Sequence, residues 1–182
     1  KHTLIPRPET ELIIDIARKY GPYNKAIDIG TGSGNIAIVL SKEKIVKHID
    51  AVDISMQALD VAKYNGSQYN IKNINYFQLD FLMNDMTQKY DLIVSNPPYI
   101  SNTEYENLED HIKFYEPKIA LTDGKKGLIF YEFFAKNLNK ILKPKGKAII
   151  EIGIENTKNK INKLFLENNY HCTWHKDLNG NY

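Results

Sequence analysis

Apolar residues along this chain come in short blocks whose spacing switches between a helical period and continuous strand-like runs. Leu12, Ile13, Ile16 and Ala17 recur at helical spacing and Gly21-Pro22 ends the run, which predicts a helix over 8–20. The apolar run that follows predicts a buried strand over 25–30, then a helix over 33–41. A second strand is predicted over 48–53, a second such helix over 56–69, and a third strand over 75–79, carrying Tyr76, Phe77 and Leu79. A fourth strand follows over 90–95. The segment 102–116 is polar and irregular and reads as a loop with a helical turn or two. A long amphipathic helix is expected over 127–142, closed by Pro144 and Gly146, with Phe130, Tyr131, Phe133 and Phe134 packing it on a sheet. A fifth strand over 147–152, a helix over 155–168 and a sixth strand over 170–175 complete the pattern. Strands that alternate with helices predict an α/β fold, a parallel sheet with helices on both faces. Right-handed crossovers then bring the strand C-termini to one edge, where such sheets bind ligands.

The sharpest local feature is Asp28-Ile29-Gly30-Thr31-Gly32-Ser33-Gly34, which leaves a predicted strand and opens a predicted helix. Glycine tolerates positive φ and lets a ligand approach the backbone. The helix N-terminus beyond offers free N–H groups to a pyrophosphate or to the carboxylate of an amino-acid-like cofactor. Asp53 ends the next strand, placed to accept hydrogen bonds from two ribose hydroxyls. Loop and acid together point to an adenosine cofactor, with NAD and S-adenosylmethionine (SAM) both open. A NAD site more naturally shows Gly-x-Gly-x-x-Gly, whereas this loop runs Gly-x-Gly-x-Gly. The plainer alternatives are a tight strand–helix turn without a ligand and, for Asp53, a helix cap. Asp80 and Phe81 end the third strand, placed for an adenine amino group and ring, or equally for a turn and the core.

Ser95-Asn96-Pro97-Pro98-Tyr99 leaves the fourth strand beside the expected crevice. Two prolines stiffen the turn. The nitrogen of an amide or an exocyclic amine attacks poorly because its lone pair is delocalised. A rigid site helps by holding both N–H hydrogens and aiming the lone pair at a methyl donor. The Asn96 side chain and the Pro97 backbone each offer a carbonyl for this, and Tyr99 offers a flat face.

With these motifs the chain resembles the HemK/PrmC family of protein-glutamine N5-methyltransferases, which act on peptide chain release factors. The resemblance runs over nearly the whole chain, from Ile5-Pro6-Arg7-Pro8-Glu9-Thr10-Glu11 through the glycine loop, Asp53, Asp80-Phe81 and the Asn-Pro-Pro-Tyr run. It continues through Glu116-Pro117 and Ala120-Leu121 to Glu151-Ile152-Gly153. The Asn-Pro-Pro-Tyr run is shared with enzymes that methylate adenine amino groups; the Pro-Arg-Pro-Glu-Thr-Glu segment discriminates better. The resemblance implies a class I SAM-dependent methyltransferase (Rossmann-like) fold. Gly30, Thr31, Gly32, Ser33 and Gly34 would cradle the methionine end of SAM, Asp53 the ribose, and Asp80 and Phe81 the adenine. Asn96 would serve both cofactor and substrate. Asn96, Pro97 and Tyr99 would be catalytic and, with Pro98, would hold the glutamine of a Gly-Gly-Gln loop. Thr10 and Glu11 would lie near the mouth of the cofactor site. The family also implies a helical domain ahead of this segment and a final antiparallel strand. This chain begins at the catalytic segment and stops at Asn179-Gly180-Asn181-Tyr182, so one catalytic domain over 1–182 with an incomplete sheet edge is expected.

Composition narrows the alternatives. The chain has 182 residues, 42% hydrophobic and 25% charged, which fits one folded domain. Its 24 basic and 22 acidic residues give a net charge of +2, too even for a strongly nucleic-acid-binding surface. An amino-methyltransferase acting on adenine or guanine in nucleic acid is therefore the alternative. One cysteine, Cys172, excludes an internal disulfide and suits a reducing cytoplasm. No apolar run reaches the roughly 18 residues of a membrane span. The five histidines lack the spacing of a helical metal site, His171 and His175 falling in a predicted strand, so no metal is expected.

Overall fold

The computed structural model describes residues 2–84, 86–153, 157–176 and 180. A 3-10 turn, Pro8–Thr10, leads into α1, Glu11–Tyr20. Then come β1, Tyr23–Ile29, α2, Asn35–Lys42, β2, Val46–Asp53, and α3, Met56–Gln68. Strands β3, Ile74–Gln78, and β4, Tyr90–Ser95, follow. The segment read as a loop with a helical turn or two holds two short helices, α4, Asn102–Glu106, and α5, Asp110–Tyr115, and a third, α6, Lys118–Leu121, follows it. Helix α7, Ile129–Ile141, passes directly into β5, Leu142–Ile150, and α8 spans Lys158–Glu167. No described helix is long and apolar enough to cross a membrane.

The five strands pair in parallel in the order β3-β2-β1-β4-β5. Strand order therefore reverses between β1 and β4, and the crevice beyond their C-terminal ends is where a doubly wound sheet takes its ligand. The side chains of each strand alternate between two apolar layers. Ile13, Ile14 and Ala17 of α1 and Ile36, Ala37 and Leu40 of α2 cover Ala26, Leu92 and Val94 on one face. On the other, Tyr131, Phe134, Ala135, Leu138 and Ile141 of α7 form one helical stripe and, with Ile161 and Phe165 of α8, cover Ile27, Ile29 and Ile93. The Ile, Leu, Val and Phe side chains among them contribute roughly 1.5–3 kcal/mol each when fully buried.

Two departures from the sequence pattern have clear causes. Pro144 and Gly146 do not stand between α7 and the strand; they lie within β5, where the register jumps from Tyr90–Leu142 to Leu92–Lys147. The intervening residues bulge, and Lys145 takes a φ of 66°. The strand expected over 170–175 makes no ladder among the described residues. Tyr170, Cys172 and Trp174 do alternate inward onto the α7–α8 layer. That period-two burial is what the sequence displays, but a strand also needs a neighbouring strand about 4.8 Å away for its backbone groups.

Candidate active site

The glycine loop is built on a buried acid. Asp28, fully buried at the end of β1, accepts from the Thr31 hydroxyl at 2.7 Å and from the Ala37 N–H at 3.3 Å. It thereby ties the loop to the first turn of α2. Its second oxygen has no partner, and burial pushes the carboxyl up to about 7, against the pull of those two donors. The folded chain therefore keeps a proton on Asp28 where the unfolded chain, with a carboxyl near 3.8, has lost it. Stability then falls as pH rises between about 4 and 7, and levels off above. Asp28→Asn removes this titration. Its melting temperature should gain on the native chain by at least about 3 °C between pH 4 and pH 7.5, from ~1 kcal/mol of linkage. A constant difference across that range would remove Asp28 as the titrating group.

Gly30, Gly32 and Gly34 all take positive φ, at 71°, 56° and 82°. A Cβ on Gly30 or Gly32 would approach no other atom closer than 4.0 Å, so both present bare backbone to open space. Gly34 differs. It caps α2, and its added Cβ would lie 3.0 Å from the Ala62 Cβ of α3. The loop curls toward β2, where Asp53 accepts from the Gly32 N–H and the Ser55 N–H, each at 2.9 Å and each on a different oxygen. Both Asp53 oxygens keep lone pairs for further donors.

Across the strand-order reversal, Ser95 Oγ donates to the Ile29 carbonyl at 2.8 Å, locking the end of β4 to the end of β1. Asn96 follows at once. Its Nδ2 donates to Thr10 Oγ1 at 3.1 Å, and the Thr10 hydroxyl donates to Glu151 Oε2 at 2.7 Å. The Asn96 and Tyr99 side chains also lie beside the Glu151 carboxylate. Burial pushes its carboxyl up, and the Thr10 hydroxyl with these two neighbours pulls it back. Burial beside Glu151 holds the Tyr99 phenol at about 12. Arg7 Nη2 meets Glu116 Oε1 at 2.6 Å and joins the segment before α1 to the segment after α5.

These elements enclose one cleft of about 870 Å³. It is lined by Gly30, Thr31, Gly32 and Ser33 of the loop, by Asp53, by Asp80 and Phe81, and by Asn96, Pro97 and Pro98. Thr10, Glu11 and Arg7 reach it from the N-terminal side, and Pro117 and Ile119 from α6. The sequence-predicted site residues thus converge, with two exceptions. Gly34 does not line the cleft; it serves the packing of α2 on α3. Tyr99 does not line it either. Its ring lies where a Gly153 Cβ would sit and its phenol lies beside Glu151, so it backs the Asn96 wall. The turn and core readings of Asp80 and Phe81 hold in the structure. Asp80 accepts from the Leu82 N–H at 3.0 Å as a turn residue, and Phe81 packs on Phe133 and Phe134, yet both line the cleft. Glu151 was not singled out as a site residue by its sequence pattern; the one signal it offered was a carboxylate at a strand's C-terminal end, on the edge where Asp53 also stands.

Residues 9–124 match the methyltransferase small domain family. The chain belongs to that family. It is 39% identical to the release factor glutamine methyltransferase of Fusobacterium nucleatum, over 98% of this chain and 51% of that protein. It is 35% identical to a protein named bifunctional methyltransferase from Rickettsia conorii, over 99% of this chain and 40% of that protein. The chain therefore spans about half, or less, of the length of these relatives. Among solved structures, the ribosomal protein L11 methylase of Lactobacillus delbrueckii subsp. bulgaricus superposes with a TM-score of 0.66 at 23% identity, covering 92% of this chain and 71% of that one. The fold is the class I methyltransferase fold, Rossmann-like, and the resemblance to the release factor glutamine methyltransferases holds over nearly all of this chain.

Proposed function

We propose that residues 1–182 form the catalytic unit of a release factor glutamine methyltransferase. It would move a methyl group from SAM to the N5 amide nitrogen of the glutamine in the Gly-Gly-Gln loop of a peptide chain release factor. The observation that carries this is the convergence of the glycine loop, Asp53 and Asn96-Pro97 on one cleft at the strand-order reversal. The names of the relatives favour a glutamine over a nucleobase, and so does the near-even charge. The lone thiol, Cys172, suits the cytoplasm.

The cleft fits the cofactor. Gly30 and Gly32 leave room where side chains would intrude, and their backbone approaches the methionine end. Asp53 would offer its remaining lone pairs to the two ribose hydroxyls, and Asp80 and Phe81 would stand at the adenine. When bound, SAM supplies a methyl group on a positively charged sulfur and departs as S-adenosylhomocysteine. Asn96 Oδ1 and the Pro97 carbonyl accept the two hydrogens of the target amide, which turns its nitrogen lone pair toward that methyl carbon. The target nitrogen, held by Asn96 and Pro97, would take the methyl group as its bond to sulfur breaks and would give its surplus proton to water. Pro98 stiffens the turn, and Tyr99 supports Asn96 through Glu151.

Asp53→Ala should weaken SAM binding about 100-fold, the loss of two hydrogen bonds to a charged group at roughly 1.5 kcal/mol each. Titration calorimetry reads this directly, and a change below about threefold would move the ribose elsewhere. The reading as a whole is tested by labelled methyl transfer to three acceptors. These are a release factor, the same factor with its Gly-Gly-Gln glutamine changed to alanine, and an adenine-containing oligonucleotide. Label on the unaltered factor alone supports the reading. Label on the oligonucleotide moves the chain to the nucleic-acid amino-methyltransferases, and label on the altered factor rules out that glutamine.

A further inference from the structure

The hydrogen bonds around Glu151 run in one direction. An ionised carboxylate only accepts. The Thr10 hydroxyl must therefore spend its single proton on Glu151 Oε2, at 2.7 Å, which leaves only lone pairs toward Asn96. Asn96 Nδ2 has two hydrogens. One goes to Thr10 Oγ1 at 3.1 Å, and the amide lies beside the Glu151 carboxylate. The phenol of Tyr99 lies beside the same carboxylate. Tyr131 donates to the Glu151 backbone carbonyl at 2.9 Å and fixes the segment just beyond β5. Turning the Asn96 amide over would set its Oδ1 against Thr10 lone pairs and a carboxylate, with no proton between them.

We propose that Glu151, acting through Thr10, is a positioning residue that holds the Asn96 amide with its nitrogen turned inward and its oxygen presented to the target. The inference rests on the proposed amide-methyl transfer. It also assigns specificity. A side-chain amide free to flip offers either a donor or an acceptor, whereas this one offers only an acceptor, and so selects an acceptor substrate that brings N–H groups. Glu151 and Thr10 are 141 positions apart in the chain, and the strand-order reversal brings them together behind one wall of the cleft.

The test uses the full chain and three variants, Thr10→Val, Thr10→Ser and Glu151→Gln. Thr10→Val keeps the shape and removes the hydroxyl. Glu151→Gln keeps the size and adds a donor, which lets the Thr10 hydroxyl turn toward Asn96. Both should lower kcat for the labelled methyl transfer by about 10- to 100-fold, the scale of a misplaced contact, with SAM affinity and melting temperature near those of the native chain. Thr10→Ser should restore kcat to within about threefold, because the hydroxyl alone is needed. A second readout needs no acceptor. In the SAM-bound protein, the Asn96 side-chain NH₂ protons should exchange slowly with solvent in the native chain and Thr10→Ser, and fast in Thr10→Val. Native kcat in Thr10→Val and Glu151→Gln overturns the proposal, and so does a Thr10→Ser as slow as Thr10→Val. A native chain that labels the oligonucleotide would overturn the glutamine reading alone, since the same kcat comparison then runs on that acceptor. A native chain that labels nothing leaves the decision to the exchange rates, where fast exchange of the Asn96 amide in the native chain overturns the positioning role.

Discussion

Asn96→Ala should lower kcat for methyl transfer about 10³-fold, as loss of a preorganised polar group in an enclosed site does. That is about 4 kcal/mol of barrier. An ordinary intramolecular hydrogen bond contributes ~1 kcal/mol net, so the larger figure needs a cause. It lies in the change of charge during the step. As the target nitrogen takes the methyl group it becomes positive, and its N–H groups become stronger donors. An acceptor already held in place is therefore worth more in the transition state than with the substrate at rest. Asn96 is held by its bond to Thr10, itself bonded to Glu151, so little reorganisation remains at the moment of reaction. SAM affinity should fall by only about fivefold, the worth of one ordinary hydrogen bond, because the proposed site assigns most of it to the loop and Asp53. Single-turnover transfer and calorimetry separate the two effects. A variant within tenfold of the native kcat would remove Asn96 from the chemistry.

Local chemistry was legible in the sequence; partnerships between distant segments were not. The loop Gly30 to Gly34, Asp53 and Asn96-Pro97 could be placed because each follows a strand, and strand ends in a parallel sheet share one edge. The structure adds that Asp53 already accepts the Gly32 and Ser55 N–H groups, so the acid organises the loop it stands beside. Tyr99 shows where reading by neighbours fails. Three residues after Asn96 in sequence, it points behind the wall because Gly153 leaves space there, beside Glu151. Nothing local encodes that, since Gly153 lies beyond β5, 54 residues on. The Arg7–Glu116 pair is of the same kind. Over 170–175 the sequence predicts a strand, and Tyr170, Cys172 and Trp174 do pack, half-buried, on the α7–α8 layer. A strand is a property of two segments, however, and alternation reports only one.

Gly34→Val should destabilise the fold by about 3–5 kcal/mol, the scale of a severe core substitution, while Gly32→Ala should leave it nearly intact. The two positions belong to one loop and both take positive φ, so each substitution incurs ~1–2 kcal/mol of backbone cost. They differ in what surrounds the new Cβ. At Gly34 it meets the Ala62 Cβ at 3.0 Å, the Ala62 Cα at 3.2 Å and the Ile38 Cδ1 at 3.2 Å. One of these is backbone, so a side chain cannot simply turn away; α2 and α3 have to separate. A branched residue makes this worse, and a loss of that size is a third or more of the roughly 10 kcal/mol that holds a domain together. At Gly32 the new methyl group finds only the Gly30 carbonyl, at 4.0 Å, and projects into the cleft where SAM is proposed to sit. Melting temperature should therefore fall by at least about 8 °C in Gly34→Val and by only a few degrees in Gly32→Ala. SAM affinity should fall more than about tenfold in Gly32→Ala, a steric loss above ~1.4 kcal/mol. Thermal scans paired with SAM titration read both. A Gly34→Val as stable as the native chain would mean that α2 and α3 yield freely at this contact. Unchanged SAM affinity in Gly32→Ala would mean that the loop shapes the turn without cradling the cofactor.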